Sequence, residues 1–352
     1  LLNRTVPTPT SEDLMLALQL IASIRGNAGI SDVSSAFGQS IKGLRGKDTQ
    51  GNDRRLFADV PPEGLPGEDD DVLIELLTEI YGLVSGPPGW RRTLLSKFKD
   101  LQFSRHPLAP CVVCMYETIG QQKDTLSGVV VIETDDLLFG GYGPKYLQGL
   151  EILRKSFKFG AWHDLQVAPK QYGGVTLFQK KDYGFEVNMS RYLRDHARSI
   201  RIERGKDGPR DPLEKANAGE VTGMRAVIGV MNWVCRKSCP HIAGDVSILA
   251  SKLPEPLVKD LTETNAAFKR LQATADVPIK VLPIPLDKIV GVVFTDASLG
   301  NAKDGHSQLA WLACIAHQDI AVGKESDVSI LCWKSHKVTR SASKVSRAAN
   351  AM

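Results

Sequence analysis

Apolar residues recur along this chain with two periods, and the switches between them mark out its elements. Leu14, Ala17, Leu18 and Ile21 fall at the three-and-four spacing of one helical face. Thr10 or Ser11 can cap that helix, Glu12 and Asp13 suit its first turn, and Gly26 can stop it. An apolar run into Asp32 then predicts a strand. Residues 42–71 are rich in Gly, Pro and charge and read as loop, around one short strand at Leu56–Val60. Val72 to Leu83 predicts a helix, which Pro87 and Pro88 break. Trp90 to Leu101 predicts the next, with Trp90, Leu94 and Phe98 four apart.

Strand patterns follow at Cys111–Tyr116 and Ser127–Glu133, with a return at Leu137–Phe139. Tyr146–Phe157 reads as a helix. Gly174–Phe178 and Phe185–Met189 read as a small hairpin. Met224, Val227, Ile228 and Met231 form a helical face, and Pro240 opens a helix to Leu253. A helix carrying Lys269 and Arg270 is expected within Glu263–Ala275. Proline-punctuated Lys280–Leu286 reads as a linker. Beyond it, Ile289–Thr295 predicts a buried strand, with two more at Gln308–Ile315 and Val328–Trp333.

The chemistry concentrates where Val129–Glu133 meets Leu137–Phe139. Asp135 and Asp136 sit between these apolar segments, where a tight hairpin turn is expected. Asp pairs are common in ordinary turns. Two adjacent carboxylates also repel unless a cation stands by, and hard divalent cations prefer carboxylate oxygen. A third acid, Asp32, likewise follows an apolar strand and precedes a run of small residues. Three carboxylates brought to one point could hold two metal ions for in-line phosphoryl transfer.

Length and composition bound the alternatives. With 352 residues and 42% hydrophobic content, the chain can build two or three packed domains. The formal charge of +4 is compatible with a nucleic-acid partner and does not demand one. Basic residues cluster at Arg191, Arg194, Arg198, Arg201, Arg204, Lys206 and Arg210, and again at Lys334, Lys337, Arg340, Lys344 and Arg347. Either run could be a solvated face or a track for phosphates. No apolar run reaches 18 residues and no signal peptide is visible, so an intracellular protein, cytoplasmic or nuclear, is expected. The six scattered cysteines read as reduced thiols rather than a zinc site.

Taken together, the segments resemble the polymerase part of a copia-type LTR retrotransposon polyprotein, running from reverse transcriptase into RNase H. Asp32-Val33-Ser34-Ser35-Ala36-Phe37 resembles the first palm motif, and Leu56–Gly64 the strand and proline turn after it. Ile80–Trp90 resembles the Tyr-Gly-Leu…Pro…Trp segment, and Thr134–Leu138 the Val-Asp-Asp hairpin. Leu150–Trp162, Glu220–Leu253, Phe294–Ser298 and Cys332–Lys337 follow in the family's order. The likeness runs from about Pro7 to the C-terminus.

The resemblance implies an α+β fold: a reverse-transcriptase palm with partial fingers and thumb, then a partial RNase H-like α/β domain. The expected divisions are 1–205, 206–280 and 281–352. It implies RNA-directed DNA polymerase activity using two Mg²⁺, with Asp32, Asp135 and Asp136 as catalytic and metal-binding residues. RNA template, DNA primer and deoxynucleoside triphosphates would be the partners, with no membrane, and the rest of a Pol polyprotein could accompany it. Phe37, Ser85 and Trp90 would line the substrate pocket, Phe37 selecting deoxynucleotides. Ser85 stands where many relatives carry Gln, and Glu133 where Tyr or His commonly precedes the acids. In the RNase H part, Asp296 falls at the first metal-ligand position, while neutral Asn350 replaces an acid. The fingers cations of the family would precede Leu1. A truncated copy with a degenerate RNase H part is therefore expected, the alternative being a catalytically inactive nucleic-acid-binding remnant.

Overall fold

The computed structural model describes residues 5–41, 50–52, 55–64, 66–67, 69, 72–196, 198–300 and 306–338. The chain forms two compact units. One joins Leu1–Asp13 to Gly26–Asp164, and the other joins Leu14–Arg25 to Leu165–Met352. Residues 1–205, expected as one domain, thus draw on both. Both units mix helices with antiparallel sheets. Among the described residues no helix is long and apolar enough to cross a membrane.

The first unit is built on a six-stranded antiparallel sheet. Its strands are β1 (Asn27–Asp32), β4 (Ser104–Arg105), β5 (Val112–Ile119), β6 (Gln122–Glu133), β7 (Asp136–Gly141) and β8 (His163–Asp164), in the order β4-β5-β6-β7-β1-β8. β5, β6 and β7 form a meander of neighbours in sequence. β1 arrives from far away and inserts beside β7, a non-local pairing that no local pattern announces.

Two helices, α2 (Gly86–Asp100) and α3 (Pro144–Ser156), belong to this unit. Trp90, Leu94 and Phe98 of α2 share a core cluster with Met115, Ile132, Leu137, Phe139, Tyr146 and Leu153. Each large side chain fully buried in such a core contributes roughly 1.5–3 kcal/mol of transfer free energy. The prolines expected to break a helix instead open α2. Pro87 and Pro88 lie in its first turn, where the missing N–H has no partner to lose.

A small ribbon pairs β2 (Phe57–Asp59) with β3 (Leu73–Glu75). Its presence corrects the helix expected over Val72–Leu83. Leu73, Leu77 and Ile80 are all exposed, so no apolar surface lies beneath them for an amphipathic helix to cover. The Arg55–Glu75 ion pair at 2.6 Å ties this ribbon on its exposed side.

The second unit carries α1 (Ser11–Ser23) from Leu14 onward, with Leu14, Leu18 and Ile21 buried as the periodicity predicts. The helix start lies in the first unit, where Thr10 and Asp13 exchange backbone-to-side-chain hydrogen bonds. Four strands, β9 (Lys170–Tyr172), β10 (Val175–Gln179), β11 (Phe185–Asn188) and β12 (Ile279–Val281), pair in the order β12-β11-β10-β9. β12 corrects the linker reading of Lys280–Leu286. Ile279 and Val281 are buried, and their strand pairs with β11.

Helices α4 (Ser190–His196), α5 (Ala218–Lys237), α6 (Ala243–Lys252) and α7 (Val258–Thr274) complete this unit with a three-stranded antiparallel sheet. That sheet orders β13 (Ile289–Ser298), β14 (Gln308–His317) and β15 (Val328–Lys337) in sequence. β15 is tied to α5 by Trp333 Nε1, which donates to the Cys235 carbonyl at 2.9 Å. The apolar run predicts a buried β13, but it is an edge strand with Val293 and Phe294 exposed. Such a run alone does not distinguish a central strand from an edge one.

Candidate functional site

Register places the acids. β1 and β7 pair so that Asp32 lies directly opposite Asp136, and β6 and β7 pair so that Glu133 also lies opposite Asp136. Directly paired residues point to the same face of a sheet, with Cα atoms about 4.5–5.5 Å apart. Three adjacent strands therefore present Glu133, Asp136 and Asp32 as one row of carboxylates. The neighbouring row, Ile132 and Leu137, turns the other way into the core cluster. Glu133, whose orientation the sequence leaves open, thus stands on the acidic face.

The hairpin turn is offset by one residue from the expected one. Thr134 and Asp135 form it, and Asp136 is already the first residue of β7. Thr134 has φ +58, a backbone region where a β-branched side chain is strained. Two hydrogen bonds hold this turn. Trp90 Nε1 donates to the Thr134 carbonyl at 2.8 Å, and the Val33 amide donates to the Asp135 carbonyl at 2.9 Å. The turn is therefore fixed from α2 on one side and from the end of β1 on the other.

Asp32 is held by a neighbour that sequence reasoning misses. The Gly160 amide donates to the Asp32 carbonyl at 2.9 Å, and any Cβ on Gly160 would overlap the Asp32 carboxylate. Gln39 braces the same region, accepting from the Lys158 amide at 2.7 Å and donating to the Ser34 carbonyl at 2.7 Å. A lone glycine 128 residues beyond the acid carries no local signal for this role.

Tyr81 is the second such residue. Its hydroxyl is hydrogen-bonded to the Asp135 side chain, and its exposed ring packs on Phe37 with centroids 4.6 Å apart. Desolvation, then the charge of Asp135, that hydrogen bond and the charge of Asp32 raise the Tyr81 pKa above its usual value. The Asp136 carboxyl is pushed from 3.8 to about 6, first by desolvation and then by the charges of Asp135, Glu133 and Asp32. Four negative groups thus act on one another here.

The expected substrate-pocket residues take different places. Phe37 lies against Tyr81 and Gly86 at 7% exposure, inside the core cluster. Trp90 is 1% exposed, so its ring offers no surface to a substrate; it acts through the Thr134 turn. Ser85 donates to the buried Glu79 at 2.7 Å, just ahead of α2. Asp296 lies on exposed β13, its carboxylate accepting from the Ala297 amide at 2.8 Å. Asn350, Arg340, Lys344 and Arg347 lie outside the described residues. All six cysteines are free, and burial pushes the Cys114 and Cys235 thiols up to about 11. Among the described residues, no three His, Cys, Asp or Glu side chains converge into a group that could hold a metal ion.

Over 279 residues the chain is 21% identical to a transposon Ty5-1 protein of Saccharomyces cerevisiae, spanning 75% of this chain and 85% of that protein. The likeness is to a transposon protein. No family model matches the sequence. The shared stretch is too long for one short motif to account for, and at this identity it indicates a transposon-related chain without specifying its chemistry.

Proposed function

We propose that this chain is the catalytic core of a copia-type RNA-directed DNA polymerase. The observation that carries the reading is the β1–β7 register, which sets Asp32 opposite Asp136 and beside the Asp135 turn. Similarity to a transposon protein supports it. Template-directed nucleotidyl transfer asks little covalent chemistry of a protein. It asks for positioned carboxylates and a shaped floor for the reacting phosphate.

The donor set suits a hard cation. It is carboxylate oxygen throughout, and the Asp136 pKa is raised first by desolvation and then by the charges of Asp135, Glu133 and Asp32, which a cation would offset. Asp32 and Asp135 would hold two Mg²⁺, with Asp136 completing the acidic row. When bound, these ions would supply activation of a primer 3′-hydroxyl and stabilisation of departing pyrophosphate. The protein's own groups do the positioning. Tyr81 orients the Asp135 carboxylate, Gly160 leaves room for that of Asp32, and Trp90 holds the strained turn. Tyr81, exposed above Phe37, presents the nearer aromatic surface to an incoming nucleotide, so discrimination at the sugar falls to this pair. The β13–β15 sheet is the proposed RNase H-like part, with Asp296 on its edge strand.

A second reading is favoured by one observation. The described carboxylates do not close into a three-ligand metal group, which suits a nucleic-acid-binding protein that no longer polymerises. Primer extension on an RNA template with Mg²⁺ separates the two. Extension by the chain that is lost in Asp135→Asn supports the polymerase. Intact primer–template binding with no extension by either protein supports the second reading.

A further inference from the structure

A cleft in the second unit lies well along the chain from the acidic row. It has a volume of about 1140 Å³ and runs between the non-helical segment 198–204 and the first half of α5. Two kinds of surface line it. Arg198, Arg201 and Arg204 stand on the segment, while Gly219, Gly223 and Ala226 form a low wall on the helix.

The surrounding ion pairs decide which charges remain for a ligand. Within the basic run that could be either solvated face or phosphate track, Arg191 pairs with Asp195, Arg194 with Asp276, and Arg210 with both Glu214 and Glu220. Neither Arg201 nor Arg204 has an ion pair among the described residues, and both are exposed. The acids of the cleft are already engaged. Glu220 accepts from Arg210, from the Asn217 amide and from the Glu203 amide, and Glu203 accepts from Asn217 Nδ2 at 2.9 Å. The cleft therefore presents positive charge beside a wall of small side chains.

The arginines also sit on a fixed support. Asn265 of α7 grips Ile200 on both sides, accepting from its amide at 2.8 Å and donating to its carbonyl at 2.9 Å. The Glu203 amide is held by Glu220 at 3.0 Å. A segment without regular structure is thus pinned at two points that flank Arg201. At one end of the cleft, His196 stacks on Tyr192 with centroids 4.3 Å apart and planes inclined by 16°. A flat stacked pair next to unpaired guanidinium groups matches the two parts of a single-stranded nucleic acid, planar bases and a phosphodiester backbone.

We propose that this cleft is a binding site for single-stranded nucleic acid, with Arg201 and Arg204 on the phosphates and the Tyr192–His196 stack against a base. The inference deepens the polymerase reading by naming where unpaired template or primer strand is held, yet its test is independent of catalysis. The assay is fluorescence anisotropy of a labelled oligo-dT or oligo-U titrated with the chain at several salt concentrations. An Arg201→Gln/Arg204→Gln double variant is compared with a charge-matched Lys181→Gln/Lys259→Gln control, and circular dichroism checks the fold of both. Removing one cation that neutralises a single-strand phosphate lowers the salt slope by about 0.7. The double variant should lower it by about 1.4, so that roughly sevenfold of the affinity change between 50 and 200 mM salt disappears. The control should keep the wild-type slope.

Equal slopes in the double variant and the wild type would overturn the proposal, as would no binding of either oligonucleotide by the wild type. Binding that depends on these arginines in a chain that extends no primer would leave this site standing and sink the polymerase reading. Primer extension with binding indifferent to the double variant would do the reverse.

Discussion

Asp136→Asn should stabilise the fold while removing activity. In the folded chain the Asp136 carboxyl has its pKa raised from 3.8 to about 6, by desolvation and by the charges of Asp135, Glu133 and Asp32. A displacement of that size corresponds to at most about 3 kcal/mol, because each tenfold change in proton affinity is about 1.4 kcal/mol. Asp136 is exposed, and solvent screening brings the working figure down to about 1 kcal/mol. The sign follows from proton linkage. The folded state binds the proton more tightly than the unfolded one, so stability falls as pH rises from about 4 to about 6 and the penalty is complete above that range. Asn carries no charge and escapes it at every pH.

The assay is thermal unfolding of wild type and Asp136→Asn in chelator, at pH 7.5 and at pH 4.5. At pH 7.5 the variant should melt about 2–4 °C higher for a unit of this size. At pH 4.5, where Asp136 is largely protonated, most of the gap should close. Adding Mg²⁺ at pH 7.5 should raise the wild-type midpoint more than that of the variant, because a ligand stabilises the state that binds it. A variant that melts lower at pH 7.5, or a gap of the same size at both pH values, would refute the reasoning.

Three further outcomes are expected. Gly160→Ala puts a methyl into the space of the Asp32 carboxylate, so it should destabilise the fold by roughly 1–3 kcal/mol in denaturant titration and abolish primer extension along with it. Trp90→Phe keeps most of the buried ring but loses the Nε1 bond to the Thr134 carbonyl, so denaturant titration should show a loss of about 1 kcal/mol. Unaltered stability would mean that the bond does not hold the turn. Thr134→Gly relieves a β-branched residue at φ +58 and should raise stability by about 1 kcal/mol, read in the same titration.

Much of the secondary structure is legible locally. The three-and-four spacing of Leu14, Leu18 and Ile21, and the four-residue spacing of Trp90, Leu94 and Phe98, survive as buried helix faces. The hairpin of β6 and β7 follows from two apolar runs about a polar turn. The misreadings occur where burial, which is set by distant chain, decides the state. Val72–Leu83 has apolar residues enough for a helix but nothing to cover, and Lys280 belongs to a strand because β11 stands beside it. Of the site, Asp32, Asp135 and Asp136 are visible in the sequence as candidate acids. Tyr81 and Gly160 are not, because neither a tyrosine in a loop nor a single glycine carries a local mark of what it touches.

Local patterning bounds which segments can become helix or strand and where carboxylates and cations are concentrated, and the chain as a whole is similar to a transposon protein. How those groups meet is a matter of long-range pairing. Inserting β1 beside β7 turned acids far apart in sequence into one cross-strand row, since register assigns every side chain of a strand to a face at once. Pairing also sorted the arginines: carboxylates brought from Asp195, Asp276, Glu214 and Glu220 neutralised three of them and left Arg201 and Arg204 to face an open cleft. Composition fixes how many charges a chain carries, and the fold settles which of them already neutralise one another.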